Sequence, residues 1–83
     1  MQATDHKQIY WRSRRGMLEL ELKLVPFVRD CFSQLSKEHQ AAYERLLGEE
    51  DWQIFDWLQQ REQPDDRVTG EIIAQIIAHS GRL

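Results

Sequence analysis

Residues 15–24 read RGMLELELKL, and the fold class depends on how this stretch is interpreted. Leucine alternates with other residues from Leu18 to Leu24, and alternation taken alone is typical of a half-buried β-strand. Leucine, glutamate and lysine nevertheless prefer helix to strand, and no second strand is apparent for pairing. We therefore predict a helix that begins near Leu18 and continues to about Leu35.

As a helix, this segment is apolar on almost every side. Its apolar residues form two stripes, with Leu18, Leu22, Val25 and Phe32 along one and Leu20, Leu24, Phe27 and Cys31 along the other. A helix of this kind is expected at the centre of a domain, wrapped by the other helices. Pro26 is expected to bend it, because proline removes a backbone hydrogen bond. Cys31 is the only cysteine, so it is predicted to be a small buried hydrophobe rather than half of a disulfide.

Helix-capping and helix-breaking residues divide the chain at Gly16, Ser36, residues 48–51 and residues 64–66. Four breaks imply five helical segments. The first segment runs from about Thr4 to Arg15 and ends against Gly16, which is expected to supply a positive φ.

The last three segments have the three-to-four spacing of amphipathic helices. The third follows Ser36 as N-cap and has Glu38 in its first turn, the fourth begins at Asp51, and the fifth follows Asp65 or Asp66. Their apolar faces are predicted to contain Ala42, Tyr43, Leu46 and Leu47, then Ile54, Phe55 and Leu58, then Ile72, Ile73, Ile76 and Ile77. The prediction is an all-α, compact five-helix single domain over residues 1–83.

Composition restricts the classes of function. A chain of 83 residues buries only about 60% of its unfolded surface, which leaves little room for a deep catalytic cleft. A hydrophobic fraction of 41% and a charged fraction of 30% indicate a globular protein. The net charge of -3 disfavours general nucleic-acid binding. The N-terminal sequence lacks the apolar stretch of a signal peptide and no segment has 18 consecutive apolar residues, so we expect a cytoplasmic protein without direct membrane insertion.

No catalytic or metal-binding pattern is apparent. His6, Cys31, His39 and His79 have spacings that match no common zinc site. Residues 49–51, EED, are adjacent carboxylates that point apart on a helix, so a solvated helix start is favoured over an acid–base pair. Neither a phosphate loop nor a dinucleotide fingerprint is present. We predict no catalytic residues and no metal site.

Three blocks of sequence resemble one small helical family. Residues 14–20, RRGMLEL, are close to the RRGMxEL pattern of the SdhE flavinylation assembly factors, and Trp11 stands where family members have tryptophan. Residues 24–27, LVPF, resemble the apolar-Pro-Phe step of the family's second helix, and residues 46–58 resemble its LL…DxDLxxWL segment. The resemblance spans about residues 6 to 80.

The third block departs from the family pattern at two positions. Gln53 replaces the second aspartate of DxD, and Trp52 fills the intervening position, often held by proline. If the acidic pair contacts a partner, the departure puts that contact in question. We favour the alternative, in which Asp51 is only a helix cap.

The resemblance implies a five-helix protein that is not itself an enzyme. Members of the family bind the flavoprotein subunit of succinate dehydrogenase, and of the related fumarate reductase, and promote covalent attachment of FAD to a histidine of that subunit. The FAD is therefore expected on the client flavoprotein, with no cofactor bound stably by this chain alone. A monomer is the simpler expectation for its oligomeric state.

The resemblance also implies a partner-binding face centred on Arg15, Gly16 and Glu19, with Trp11 and Arg14 beside them. Gly16 lets the chain turn and lets a partner's backbone approach closely. Arg15 offers a planar fork of donors to a carboxylate or phosphate, and Glu19 either accepts hydrogen bonds from the partner or orients Arg15. Tryptophan is enriched at interface hot spots, but core packing is an alternative for Trp11 and the favoured one for Trp57.

Two other functions stay open at this point. A small helical DNA-binding regulator would use the basic residues Lys7, Arg12, Arg14 and Arg15 to contact phosphate, although the third and fifth helices carry few Lys or Arg residues for a recognition helix. An antitoxin-like partner of a membrane-associated toxin is a third possibility, because the family has also carried that description.

Overall fold

A computed structural model describes residues 6–80 of the chain. Its five α-helices are α1 (His6–Arg12), α2 (Leu18–Cys31), α3 (Lys37–Leu46), α4 (Asp51–Leu58) and α5 (Arg67–Ser80), and a 3₁₀ turn, Phe32–Gln34, extends α2. This part of the chain contains no strand, so the prediction of an all-α, five-helix fold is confirmed. The predicted start of the first helix at Thr4 lies outside the described residues.

The helices surround one hydrophobic core. α5 packs against α2, α3 and α4, while α1 packs against α2. The fully buried side chains include residues from all five helices, among them Ile9, Leu20, Leu24, Phe27, Tyr43, Leu46, Ile54, Ile72 and Ile76. The apolar faces predicted for α3, α4 and α5 therefore point inward, with Phe55 and Ile77 only partly buried. Trp57 is also partly buried and packs against the core.

The prediction that α2 is wrapped on all sides is wrong. Leu20 and Leu24 are buried, whereas Leu18 and Leu22 keep 63% and 60% of their surface exposed. Residues four apart lie on one face of a helix, so the two exposed leucines form an apolar stripe turned to solvent. The remaining helices of so short a chain cover only one side of α2. Cys31 is half-buried rather than buried.

Two of the predicted helix caps are confirmed. The Ser36 hydroxyl accepts a hydrogen bond from the His39 amide at 3.1 Å, and Asp66 accepts one from the Thr69 amide at 2.9 Å. Each side chain satisfies a backbone donor that has no partner within its helix. The predicted start of α4 at Asp51 is confirmed, but the predicted capping role of Asp51 is wrong, because the N-cap is Glu50 and it makes no side-chain cap bond.

Gly16 does not end α1 and does not have a positive φ. The helix ends at Arg12, where the Ser13 amide still donates to Ile9 O at 3.0 Å, and Gly16 lies in the connection to α2. Among the described residues, the left-handed conformation occurs at Gln60, with φ of 63°. There it closes α4 in a Schellman motif, with the Arg61 amide donating to Asp56 O at 2.9 Å.

Candidate partner-binding site

The connection between α1 and α2 is anchored from inside the molecule by Ser13. Its hydroxyl donates to Ile9 O at 2.8 Å and shares a hydrogen bond of 2.7 Å with the hydroxyl of Tyr43 in α3. Both side chains are fully buried. Burial raises the pKa of Tyr43 well above its ordinary value, so the phenol is neutral and hydrogen-bonded. The hydrogen bonds of Ser13 therefore fix the position at which the α1–α2 connection begins.

Arg15 faces inward and holds the corner between α3 and α4. Its Nε donates to Asp51 Oδ1 at 2.7 Å, Nη1 donates to Leu47 O at 2.8 Å, and Nη2 donates to Glu49 O at 2.7 Å. Only 15% of its side-chain surface is exposed. We call this set of three contacts the Arg15 clamp. Its charge-assisted bonds give partners to Leu47 O at the C-cap of α3 and to Glu49 O in the connection to α4.

Gly16 is exposed and has room for a side chain. A Cβ built on Gly16 would meet its nearest atom, Asp51 Oδ2, at 3.9 Å, which is an ordinary van der Waals distance. Neither backbone conformation nor internal packing therefore requires glycine at this position. What glycine provides here is a smooth patch beside the Arg15 clamp, open to an approaching backbone.

Trp11 and Arg14 lie together at the surface beside this patch. Trp11 is 60% exposed, and the Arg14 guanidinium lies 5.6 Å from the centre of its ring, a cation–π distance. Arg14 Nε is also 3.6 Å from Glu21 Oε2. Glu19 is exposed in the first turn of α2. The donors of Arg15 are directed to the α3–α4 corner, so Arg15 and Glu19 are not displayed together as expected.

Exposed apolar side chains occur on α1 and α2, the two helices that this segment connects, and on α4. Among the described residues, the exposed large hydrophobic side chains are Trp11, Leu18, Leu22 and Trp52. They belong to α1, to the first half of α2 and to the start of α4, whereas α3 and α5 contribute none. We call these four side chains, together with Gly16 and Glu19, the partner surface.

Sequence reasoning missed two components of this site. It placed Leu18 and Leu22 in the core, although two apolar stripes on one helix of a small domain are a sign that one of them stays exposed. It also interpreted Asp51 as a cap and not as the partner of Arg15. No local pattern joins these two residues, which are separated by 36 positions.

Two of the histidines considered as metal ligands, His39 and His79, contact separate carboxylates, and the side chain of His6 lies outside the part that the structure describes. His39 Nε2 lies 2.9 Å from Glu71 Oε1, and His79 Nε2 lies 3.0 Å from Asp30 Oδ2. Hydrogen bonds from Arg29 and then from His79 lower the pKa of Asp30 to about 2. In the described part of the chain, no three His, Cys, Asp or Glu side chains are grouped to hold a metal ion. No helix there is long and apolar enough to span a membrane.

Comparison with known proteins finds a family match over the part of the chain that contains the three sequence blocks. A family model described as "Flavinator of succinate dehydrogenase" matches residues 7–80. The chain belongs to this family. The matched range is nearly the same as the range over which the sequence resembles SdhE proteins, so that resemblance is confirmed.

Individual members of the family show the same coverage. The FAD assembly factor SdhE of Pseudomonas aeruginosa is 43% identical over 74 residues, which cover 89% of this chain and 88% of the relative. Its counterpart in Pseudomonas savastanoi pv. phaseolicola is 41% identical over 77 residues, 93% of this chain and 92% of the relative. The FAD assembly factor SdhE of Aliivibrio fischeri is 31% identical over 78 residues, 94% and 91% of the two chains.

Proposed function

We propose that the chain binds the flavoprotein subunit of succinate dehydrogenase, fumarate reductase or both, and promotes covalent attachment of FAD to a histidine of that subunit. The observation that carries this proposal is the position of the exposed apolar side chains. Trp11, Leu18 and Leu22 belong to the two helices that Gly16 connects, and Trp52 follows Asp51, whose Oδ2 is the atom nearest to the Cβ position of Gly16. Membership of a family described as a flavinator of succinate dehydrogenase supports the choice of this partner.

The partner surface has the composition of a protein-binding site. Large exposed apolar side chains contribute binding energy when a partner removes them from water, and tryptophan is enriched among interface hot spots. Glu19 supplies an acceptor for hydrogen bonds or an ion pair within the same patch. The smooth surface at Gly16 allows the partner's backbone to approach closely.

The contribution of the chain is binding and not bond formation. In this proposal the FAD is held by the client flavoprotein, and no cofactor is bound stably by the chain alone. The chain acts as a cytoplasmic monomer that stabilises the arrangement in which the histidine of the client and the flavin react. Holding two reacting groups in a productive geometry accelerates a reaction without any catalytic side chain from the assembly factor.

The test measures covalent flavin on the purified flavoprotein subunit, supplied with FAD, in the presence and absence of the chain. Flavin fluorescence of the denatured subunit reports the covalent product, and a pull-down reports binding. We expect the wild-type chain to increase covalent flavin. We expect Glu19→Ala and Gly16→Arg to reduce both binding and covalent flavin, because both changes alter the partner surface.

Gly70→Arg is the matched control for Gly16→Arg. Gly70 lies in α5, outside the partner surface, and a Cβ there would meet no atom within 4 Å. The control is expected to keep full binding and full flavinylation. Full binding and flavinylation by both Glu19→Ala and Gly16→Arg would refute the assignment of the surface. A wild-type chain without effect on covalent flavin would refute the function.

A further inference from the structure

Arg15 has an internal role that its place in the RGMLE segment does not suggest. We infer that Arg15 is a positioning residue, whose clamp on the α3–α4 corner fixes Trp52 as a contact residue of the partner surface. The partner contact of Trp52 rests on the proposed function. The clamp itself is a property of the free chain, so the two parts are tested separately.

The geometry of the clamp requires an arginine. Asp51 Oδ1, Leu47 O and Glu49 O lie 2.7–2.8 Å from three different nitrogen atoms of one guanidinium group. A lysine ammonium is a compact charge and does not reproduce a planar fork that reaches all three acceptors. The acceptors span five consecutive positions, so the side chain fixes the course of the chain between α3 and α4.

Arg15 is poorly placed to contact a partner directly. Its three nitrogen atoms already donate to the corner, and Nη1 additionally lies 3.4 Å from Arg12 O. These contacts use four of the five N–H donors of the guanidinium, so a two-pronged contact with a partner's carboxylate would have to displace at least one of the present acceptors. Unmaking charge-assisted hydrogen bonds in a part-buried site opposes such an exchange.

Trp52 is the side chain that the clamp places at the surface. It follows Asp51 directly, is 67% exposed, and contacts Phe55 edge to face with ring centres 5.9 Å apart. Asp51 Oδ2 is also the atom nearest to the space above Gly16. The start of α4 therefore borders the glycine patch, and Trp52 is the exposed residue next to Asp51 in the chain. A rigidly held tryptophan binds at a lower entropic cost than a mobile one.

The clamp is tested first on the free chain by amide hydrogen exchange and the NMR shift of the Trp52 indole N–H. The amides of Glu49, Gln53 and Ile54 are hydrogen-bonded within this corner and report its opening. Arg15→Lys is expected to speed their exchange about tenfold or more and to move the indole signal, because at least one bond of the clamp is lost. The control Arg45→Lys changes an exposed arginine of α3 and is expected to leave both unchanged. Unchanged exchange and an unchanged indole shift in Arg15→Lys would overturn the inference.

Binding to the flavoprotein subunit tests the role of Trp52. Trp52→Ala and Arg15→Lys are each expected to weaken binding about tenfold or more, as for hot-spot residues. The double variant is expected to lose much less than the product of the two single losses, because Arg15 acts through Trp52 and its neighbours. Asp51→Asn keeps an acceptor oxygen for Nε and is expected to bind within about threefold of wild type.

Two results separate failure of this inference from failure of the proposed function. Multiplicative losses in the double variant, with normal amide exchange in Arg15→Lys, would show that Arg15 contacts the partner itself and would overturn the positioning role. Absence of binding by the wild-type chain would overturn the proposed function and the assignment of Trp52. In that case amide exchange in Arg15→Lys still tests the clamp, because it is measured on the free chain.

Discussion

Replacing Ser13 with alanine is expected to destabilise the fold by about 1–3 kcal/mol, although the change removes a single oxygen atom. The hydroxyl of Ser13 connects Ile9 O at 2.8 Å with the Tyr43 hydroxyl at 2.7 Å, where both side chains are fully buried. Without it, the phenol of Tyr43 stays in the core and loses its hydrogen bond to Ser13. A buried polar group without a partner costs its full desolvation free energy.

Removing the other hydroxyl of this pair, that of Tyr43, should cost less stability. Tyr43→Phe removes the phenol oxygen but leaves the Ser13 hydroxyl bonded to Ile9 O, so we expect about 1 kcal/mol. The ring contacts with Phe27 and Phe32, at 5.8 and 5.7 Å between centres, are retained by phenylalanine. In the double variant, no phenol is left unpaired. Its free energy of unfolding should lie clearly above the value obtained by adding the two single losses.

The measurement is urea denaturation of the three variants and the wild type, followed by circular dichroism and tryptophan fluorescence. Because the slope of the transition depends on the surface exposed, it should be the same in all four proteins. In a domain of this size, 1 kcal/mol corresponds to a shift of about 4–8 °C in Tm. A loss below about 0.5 kcal/mol in Ser13→Ala, or strict additivity in the double variant, would show that the buried pair does not anchor the α1–α2 connection.

Three further predictions concern pH and the orientation of α2. Burial raises the pKa of Tyr43, so its contribution to stability is complete below pH about 10 and falls at higher pH. Tyr43→Phe should therefore flatten the alkaline part of a curve of unfolding free energy against pH. The pKa of Asp30 is lowered to about 2, first by a hydrogen bond from Arg29. Its contribution to stability is therefore present above its ordinary pKa of about 4 and is lost as the pH falls to 2. Asp30→Asn should make the free energy of unfolding fall less steeply over this acid range. Leu24→Ala should cost about 2–5 kcal/mol in urea denaturation and Leu22→Ala less than about 0.5, and equal losses would contradict the one-sided burial of α2.

The helices could be predicted from the sequence because capping and apolar periodicity depend on residues that are close together in the chain. Ser36 and Asp66 are caps whose partners lie three residues away, and the apolar periodicity of α5 is complete within one helix. Helix α2 was harder to predict, because its alternating leucines also fit a strand. Its helical state follows from propensity and from the absence of a pairing strand, but the choice of buried face follows from where the other helices pack.

The site was less predictable than the fold because its main contact is tertiary. Arg15 was expected at the surface, as a charged residue beside an exposed glycine normally is. Its inward orientation depends on three acceptors at positions 47, 49 and 51, which come together at the folded corner between α3 and α4. The exposure of Leu18 and Leu22 has the same origin, since it depends on the direction from which neighbouring helices pack on α2.

Gln53, which replaces the second aspartate of the family pattern, makes a contact within this chain. Gln53 Nε2 donates to Glu62 Oε1 at 2.8 Å, which connects α4 to the loop that follows it. An aspartate at position 53 would bring a second carboxylate toward Glu62, so the amide suits this chain better. Of the two positions of the acidic pair, Arg15 contacts only position 51, where this chain has aspartate. The chain therefore has the aspartate that Arg15 contacts, and it differs from the family pattern at the position whose side chain contacts Glu62.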